Sequence, residues 1–243
     1  MVALALITSA YILQADFDRR GMKADAFLMI TVAGLVGIAG AKLYHLLEPE
    51  SRQLLFDHPL DMLLSRYGFA WFGGFLGGFG AMLFLGWRAR LPLLQFLDAC
   101  SPAAAFGYGI GRIGCFLSGD GDYGKPTSLP WGMSFPNGVV PTTQRVHPAP
   151  LYELIIWSAI GAFLWHMGSR ALKGRKINGG IFCAYLILTG IARFLVEIIR
   201  INPPWIFGMS NAQVASVASI VVGVLLFWCL RAGIITNGNK KTA

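Results

Sequence analysis

Charge is scarce in this chain. Only 13% of its 243 residues are charged, while 55% are hydrophobic. An ordinary soluble domain carries about 25% charged residues. So little charge cannot cover a water-facing surface, which argues against a cytosolic enzyme, a disordered protein and a nucleic-acid binder, despite a formal net charge of +8. Cysteine is scarce too. Cys100, Cys115, Cys183 and Cys229 lie in or beside apolar runs, and none forms CxxC or pairs with a nearby histidine at zinc spacing. Neither a disulfide framework nor a metal site is expected. No basic stretch precedes the first apolar run, so a cleaved signal peptide is not expected either.

Long apolar runs fill the space that charge leaves. Seven stand out, at about 1–15, 25–47, 68–87, 92–117, 149–168, 179–201 and 210–231, and the mean hydropathy is +0.59. They are too long for barrel strands and lack period-2 alternation, so they read as helices. The first, at ~22 Å of helix, is too short to span a bilayer alone: it is a truncated span or reaches part-way. The expected fold is an all-α, polytopic membrane helix bundle of about seven apolar helices. It forms a single integral membrane domain over 1–243, with a long outward-facing loop at 118–148 between the fourth and fifth helices.

The basic residues orient it. Twelve of the 20 (Arg19, Arg20, Lys23, Arg88, Arg90, Arg170, Lys173, Arg175, Lys176, Arg231, Lys240, Lys241) follow the odd-numbered runs. The opposite loops hold Arg52, Arg66, Lys125 and Arg145. The positive-inside rule places the twelve in the cytoplasm. The N-terminus and the loops at 48–67, 118–148 and 202–209 then face outward. Residues 202–209 read as a Pro-Pro turn that stops the sixth helix. Ordered loops as long as 118–148 are usually functional.

The remaining charges lie where a bilayer penalises them by at least about 2.5–3.5 kcal/mol each. Arg112 is near the outer end of the fourth run. Arg193, Glu197 and Arg200 share one face of the sixth by their i, i+4, i+7 spacing. His147, Tyr152 and Glu153 open the fifth, Lys42, Tyr44 and His45 close the second, and Asp120 and Asp122 follow the fourth. Charge from four runs thus reaches one depth near the outer leaflet. Lys42, Arg112, Arg193 and Arg200 against Glu153 and Glu197 leave an excess of two positive charges, which suits an anionic phosphate. Interhelical ion pairing with snorkelling is the competing explanation. Asp98, toward the cytoplasmic end, reads as a structural hydrogen-bonding or interfacial group. The glycines of the second, third and fourth runs, Gly37, Gly40, Gly73, Gly77, Gly107 and Gly111 among them, read as close helix packing.

Three segments carry a resemblance. Gly111-Arg112-Ile113-Gly114-Cys115-Phe116-Leu117-Ser118-Gly119-Asp120, followed by Tyr123-Gly124, resembles the signature of the prolipoprotein diacylglyceryl transferase family, Gly-Arg-x-Gly-Asn-Phe-x-Asn-x-Glu and then a Gly. His147-Pro148-Ala149-Pro150-Leu151-Tyr152-Glu153 is similar to its His-Pro-x-x-Leu-Tyr-Glu. Gly190-Ile191-Ala192-Arg193-Phe194-Leu195-Val196-Glu197-Ile198-Ile199-Arg200 is similar to its Gly-x-x-Arg-Phe-x-x-Glu-x-x-Arg. The resemblance implies a multi-pass enzyme of the bacterial cytoplasmic (inner) membrane. Such an enzyme moves a diacylglyceryl group from phosphatidylglycerol to the lipobox cysteine thiol of a prolipoprotein and releases glycerol 1-phosphate. Its partners are membrane lipid and the prolipoprotein signal peptide, not nucleic acid, and it uses no cofactor. By motif, Arg112 and Arg193 would hold the donor phosphate and Glu197 would orient Arg193. Asp120 would stand for the signature glutamate, though one extra residue lets Asp122 fill the place equally. Tyr152 and Glu153 would fix the loop and the fifth helix. His147 completes the candidate catalytic set. Lys42, Cys115, Ser118, Gly124, Tyr152, Glu153 and Arg200 are the candidate substrate contacts.

The departures are specific. Cys115 and Ser118 replace two family asparagines, Lys42 replaces an arginine, and the first helix looks too short to carry a family tyrosine. Phe72 stands where the family has a histidine, a candidate general base worth about 10²–10⁴ in rate; His147 or His45 is the available substitute. Cys115, one turn beyond Arg112, reads as a small buried residue or as an acceptor thiol. Two other functions therefore stay open: a divergent relative using another lipid donor or acceptor, and a non-catalytic phospholipid-binding membrane protein.

Overall fold

The computed structural model describes residues 1–49, 51, 59–65, 68–171 and 178–234. Arg52, Arg66, Lys173, Arg175, Lys176, Lys240 and Lys241 of the topology argument lie outside these residues. In chain order the helices are α1 (Val2–Arg20), α2 (Ala26–Leu47), α3 (Pro59–Leu64), α4 (Trp71–Arg88), α5 (Leu93–Ser118), α6 (Ala149–Ala171), α7 (Gly180–Ile199) and α8 (Asn211–Arg231). By length and composition α2, α6, α7 and α8 are apolar enough to cross a membrane. The protein is a mostly helical membrane protein. Exposed Val224, Leu225 and Trp228 on α8 would be a liability in water, and in hydrocarbon they are ordinary.

Two expectations need correction. First, α1 does not stop with its apolar run. It continues through Asp16 to Arg20, about 28 Å at the usual rise, and Asp16 is fully buried. A carboxylate interrupts an apolar pattern without interrupting the helix that carries it. Second, the connections are not wholly irregular. The 118–148 segment contains an antiparallel hairpin of β1 (Met133–Phe135) and β2 (Thr142–Val146). The Pro-Pro turn opens a second hairpin, β3 (Pro204–Ile206) with β4 (Met209–Ser210). Strands this short, in Gly- and Pro-rich sequence, have no alternation to read.

The chain divides into two compact units: Met1–Asp16 with Leu94–Ala243, and Phe17–Leu93. In the second, α2 and α4 pack backbone to backbone. A Cβ on Gly40 would stand 2.6 Å from the Gly73 carbonyl oxygen, and one on Gly77 would stand 2.7 Å from that of Val36. The packing role of these glycines is as expected, and small residues allow it where no hydrophobic drive between helices exists. The Lys42 ammonium donates to the Ser65 carbonyl at 3.0 Å and lies 5.0 Å from the Phe69 ring centre.

In the first unit Ala105, Trp157, Ile160, Leu164, Ile181 and Ala192 of α5, α6 and α7 form the buried core. Asp98 ties α5 to the start of α7: its carboxylate accepts from the Gly179 and Phe182 amides, each at 2.8 Å. That is the structural role expected of it, since the first amides of a helix have no partner within it. At the other end Ser210 caps α8 through a reciprocal capping box with Gln213. Asp98 thus joins α5 to α7 at one end of this unit, and Ser210 fixes the start of α8 at the other.

Candidate active site

The site grows from one buried carboxylate. Glu153, in the first turns of α6, has a side chain with no exposure. Its Oε2 is 2.5 Å from Arg112 Nε of α5, and its Oε1 accepts from Arg193 Nη1 of α7 at 2.6 Å. Arg200, just past the end of α7, brings Nη1 to 3.7 Å of Oε2. The Tyr108 hydroxyl donates to Oε1 at 3.2 Å. A charge this deep persists only when paired and hydrogen-bonded.

Glu197 forms a second post. Its Oε2 lies 3.0 Å from Arg193 Nη2, one turn back on α7, and 3.6 Å from Arg200 Nε. Its Oε1 accepts from Asn202 Nδ2 at 2.5 Å and from Ser210 Oγ at 2.8 Å. The hydroxyl that caps α8 therefore also aims Glu197, and Glu197 aims Arg193. Arg193 remains the most open of the three arginines, with its side chain 23% exposed.

The third carboxylate comes from the turn after α5. Gly119 (φ +56°) and Gly121 (φ +90°) reverse the chain, in a region where side chains are disfavoured. Asp122 then pairs with Arg112 Nη1 at 2.6 Å and with Arg200 Nη2. Partial burial alone would raise the Asp122 carboxyl. The two guanidinium groups outweigh that and hold it below its ordinary value. The turn is pinned beyond Asp122. The Gly124 amide donates to the His147 carbonyl at 2.8 Å, and the Lys125 amide donates to that of Ile199 at 2.7 Å. A Cβ on Gly124 would stand 2.7 Å from the Ile199 carbonyl oxygen, so the residue is held to glycine by space.

The structure thus brings Arg112, Arg193, Arg200, Glu153 and Glu197 together; helical spacing implies this for Arg193, Glu197 and Arg200. Asp122, not Asp120, carries the ion pairs; Asp120 is exposed, and its Oδ1 accepts from the Asp122 amide at 3.2 Å. Three arginines face three carboxylates, so the cluster is neutral rather than positive by two. Lys42 belongs to the other unit and its ammonium is engaged there. Cys115 Sγ accepts from Arg112 Nη1 at 3.2 Å. Exposed Ser118 returns its hydroxyl to the Cys115 carbonyl at 3.1 Å. His147 Nδ1 is 3.2 Å from the Tyr152 hydroxyl, which accepts from Trp131 Nε1 at 2.8 Å. His45, in the other unit, lies 2.9 Å from Glu48 and 3.3 Å from Ser51 Oγ. Phe72 of α4 is half-exposed beside Tyr44.

Tyr108, Asn202 and Ser210 were missed by sequence reasoning. Tyr108 had a signal: it lies four residues before Arg112, on the same helix face. Cys115 Sγ and carboxylate oxygens of Asp120 and Asp122 fall within 4.8 Å of one another. A cation there would compete with two guanidinium groups that already take both Asp122 oxygens, so the donor set suits one poorly.

Comparison with known proteins gives a consistent result. A family model described as "Prolipoprotein diacylglyceryl transferase" matches residues 1–229. A Clostridium tetani protein named phosphatidylglycerol–prolipoprotein diacylglyceryl transferase is 30% identical over 230 residues, covering 93% of this chain and 90% of that one. A Leptospira interrogans protein of the same name is 30% identical over 245 residues, covering 88% and 76%. One from Finegoldia magna is 35% identical over 175 residues, covering 71% and 66%.

Proposed function

The chain belongs to the prolipoprotein diacylglyceryl transferase family, and from that premise we propose that it transfers the diacylglyceryl group of phosphatidylglycerol to the lipobox cysteine thiol of a prolipoprotein. The reaction takes place at the outer face of the bacterial cytoplasmic membrane, which the protein crosses several times. The bias of basic residues between the two sets of loops supports that orientation, and the family match over residues 1–229 includes residues of both compact units.

In this reaction the acceptor sulfur attacks the diacylglyceryl carbon that carries the phosphate oxygen. A C–S bond forms, the C–O bond breaks, and glycerol 1-phosphate leaves with the electron pair. The thiolate is the nucleophile, so no nucleophile from the chain is required. What the chain supplies is stabilisation of the departing phosphate. Arg112 and Arg193 are the residues for it. Glu153 holds Arg112 Nε and Arg193 Nη1, and Glu197 holds Arg193 Nη2. Each guanidinium is oriented before substrate arrives. His147, whose ring is positioned by the Tyr152 hydroxyl, is the proton acceptor we assign in place of the family histidine that Phe72 replaces.

The observation that carries this reading is the convergence of Arg112 and Arg193, from different helices, on one fully buried carboxylate. Purified protein incubated with phosphatidylglycerol vesicles and a lipobox peptide is expected to add one diacylglyceryl unit to the peptide cysteine, read by mass spectrometry. Arg112→Ala should abolish the gain while the protein still inserts. No gain with the unaltered protein sinks the proposal.

A further inference from the structure

Asp122 differs from the other two acids of the cluster in what holds it. Glu153 and Glu197 stand on helices, with side chains 0% and 1% exposed. Asp122 stands on a turn next to Gly121, its side chain is 30% exposed, and its amide rests on the side chain of Asp120. One of its carboxylate oxygens lies on Arg112 and the other on Arg200. A phosphodiester presents two equivalent charged oxygens to arginines in the same way.

The donors around it are also under-used. Among the described residues, buried Arg112 Nη2 has no hydrogen-bond partner, and Arg200 Nη1 and Nε reach carboxylate oxygens only at 3.7 and 3.6 Å, too long for hydrogen bonds. A phosphate, with more acceptor oxygens than a carboxylate, would satisfy them. With Asp122 in place the cluster is neutral. With Asp122 withdrawn, three arginines face Glu153 and Glu197, and one positive charge is left.

We propose that the donor phosphate held by Arg112 and Arg193 also engages Arg200, and that between turnovers Asp122 fills the Arg112–Arg200 part of this position, yields it to the incoming phosphodiester, and returns to expel the phosphate product. This rests on the transferase reading above. The charges explain why such a residue is useful. The donor is a monoanion, whereas a phosphate monoester carries about −1.5 to −2 at neutral pH. A clamp with a fixed positive charge would therefore hold the product more tightly than the donor. A carboxylate returning on a glycine-flanked turn offsets that preference. Asp122 is in this sense a positioning residue, acting on substrate through the two arginines.

The test uses the full chain with phosphatidylglycerol vesicles and a lipobox peptide, and glycerol 1-phosphate as the inhibitor. Asp122→Asn and Asp122→Ala should each lower the inhibition constant of glycerol 1-phosphate about ten-fold, equivalent to about 1.4 kcal/mol. KM for the donor should fall in the same direction, and kcat should fall because product leaves slowly. In the unaltered protein, saturating glycerol 1-phosphate should speed amide hydrogen exchange over residues 119–124. That measurement decides the matter if the variants fail to fold. An inhibition constant that is unchanged or raised, or exchange that is unchanged or slowed, overturns the proposal while the transferase reading stands. No transfer by the unaltered protein overturns both.

Discussion

The arginine cluster and the α2–α4 seam both bring helices into close register, and they do so by opposite means. At the seam the contact is backbone on backbone, because Gly40, Gly73 and Gly77 have no side chains to keep the helices apart. At the cluster, arginines from α5 and the end of α7 span the gaps to Glu153 of α6 and to Asp122 of a turn. The seam is a gain of dispersion contact spread over many atoms. The cluster is a balance of large terms, attraction against desolvation, that is favourable only while every partner is present. A perturbation of the seam should therefore be graded, and one at the cluster abrupt.

The largest effect is expected from Glu153→Ala. It leaves Arg112 and Arg193 facing each other without their shared anion, and breaking a buried pair costs about 3–5 kcal/mol. Thermal unfolding in detergent should show that loss, with Glu153→Gln recovering part of it through the bond from Tyr108. A melting curve like the unaltered protein's would mean that the cluster does not hold these helices. Gly40→Ala comes next. Its Cβ would sit 2.6 Å from a carbonyl oxygen that belongs to the opposing helix, and overpacking of this kind costs about 1–3 kcal/mol. Gly80 sharpens the contrast, since a Cβ there meets nothing within 4 Å. Gly80→Ala should be neutral or slightly stabilising, by up to about 1 kcal/mol.

Asp98→Ala should cost about 1–2 kcal/mol, the usual loss when a helix start loses its carboxylate cap. The local signature is faster amide exchange at Gly179 and Phe182. Asp98 thus lies between the two cases: a buried carboxylate that reads backbone amides rather than guanidinium groups. The smallest effect is one of pH. Asp122 is held below its ordinary carboxyl value of 3.8. The stabilisation it gives is fully present above that value and is lost as pH falls through its lower folded value. Stability should be insensitive to Asp122 from pH 7 to 5 and decline only in stronger acid. The acid limb of the unfolding curve should flatten in Asp122→Asn, and a slope unchanged by that variant would remove the ion pairs from the account.

Most of the helical layout is legible in the sequence, because an apolar run long enough for a bilayer has few other uses. The limits of legibility are local. Asp16 hid the last turn of α1, from Asp16 to Arg20, since a buried carboxylate inside a helix looks like the end of one. The two hairpins are built from turn chemistry and a few backbone bonds, which leave no periodic trace. At the site, Arg193, Glu197 and Arg200 are legible as one face because helical spacing forces it. Asp120 and Asp122 are two residues apart on a turn, where no period says which carboxylate faces the arginines.

The sequence by itself determined that this is a membrane protein, which family it belongs to, and which arginines sit near the C-terminal ends of their helices. Composition and motif spacing decide those things, and both are properties of a one-dimensional string. Only the tertiary structure decided the charge balance of the site: that Glu153 is its centre, that Asp122 is its third acid, and that Ser210 and Asn202 steady Glu197. The Arg193–Glu153 and Arg200–Asp122 pairs join residues 40 and 78 positions apart. Their partners are chosen by where the helix ends meet and by the cost of leaving any buried charge unpaired.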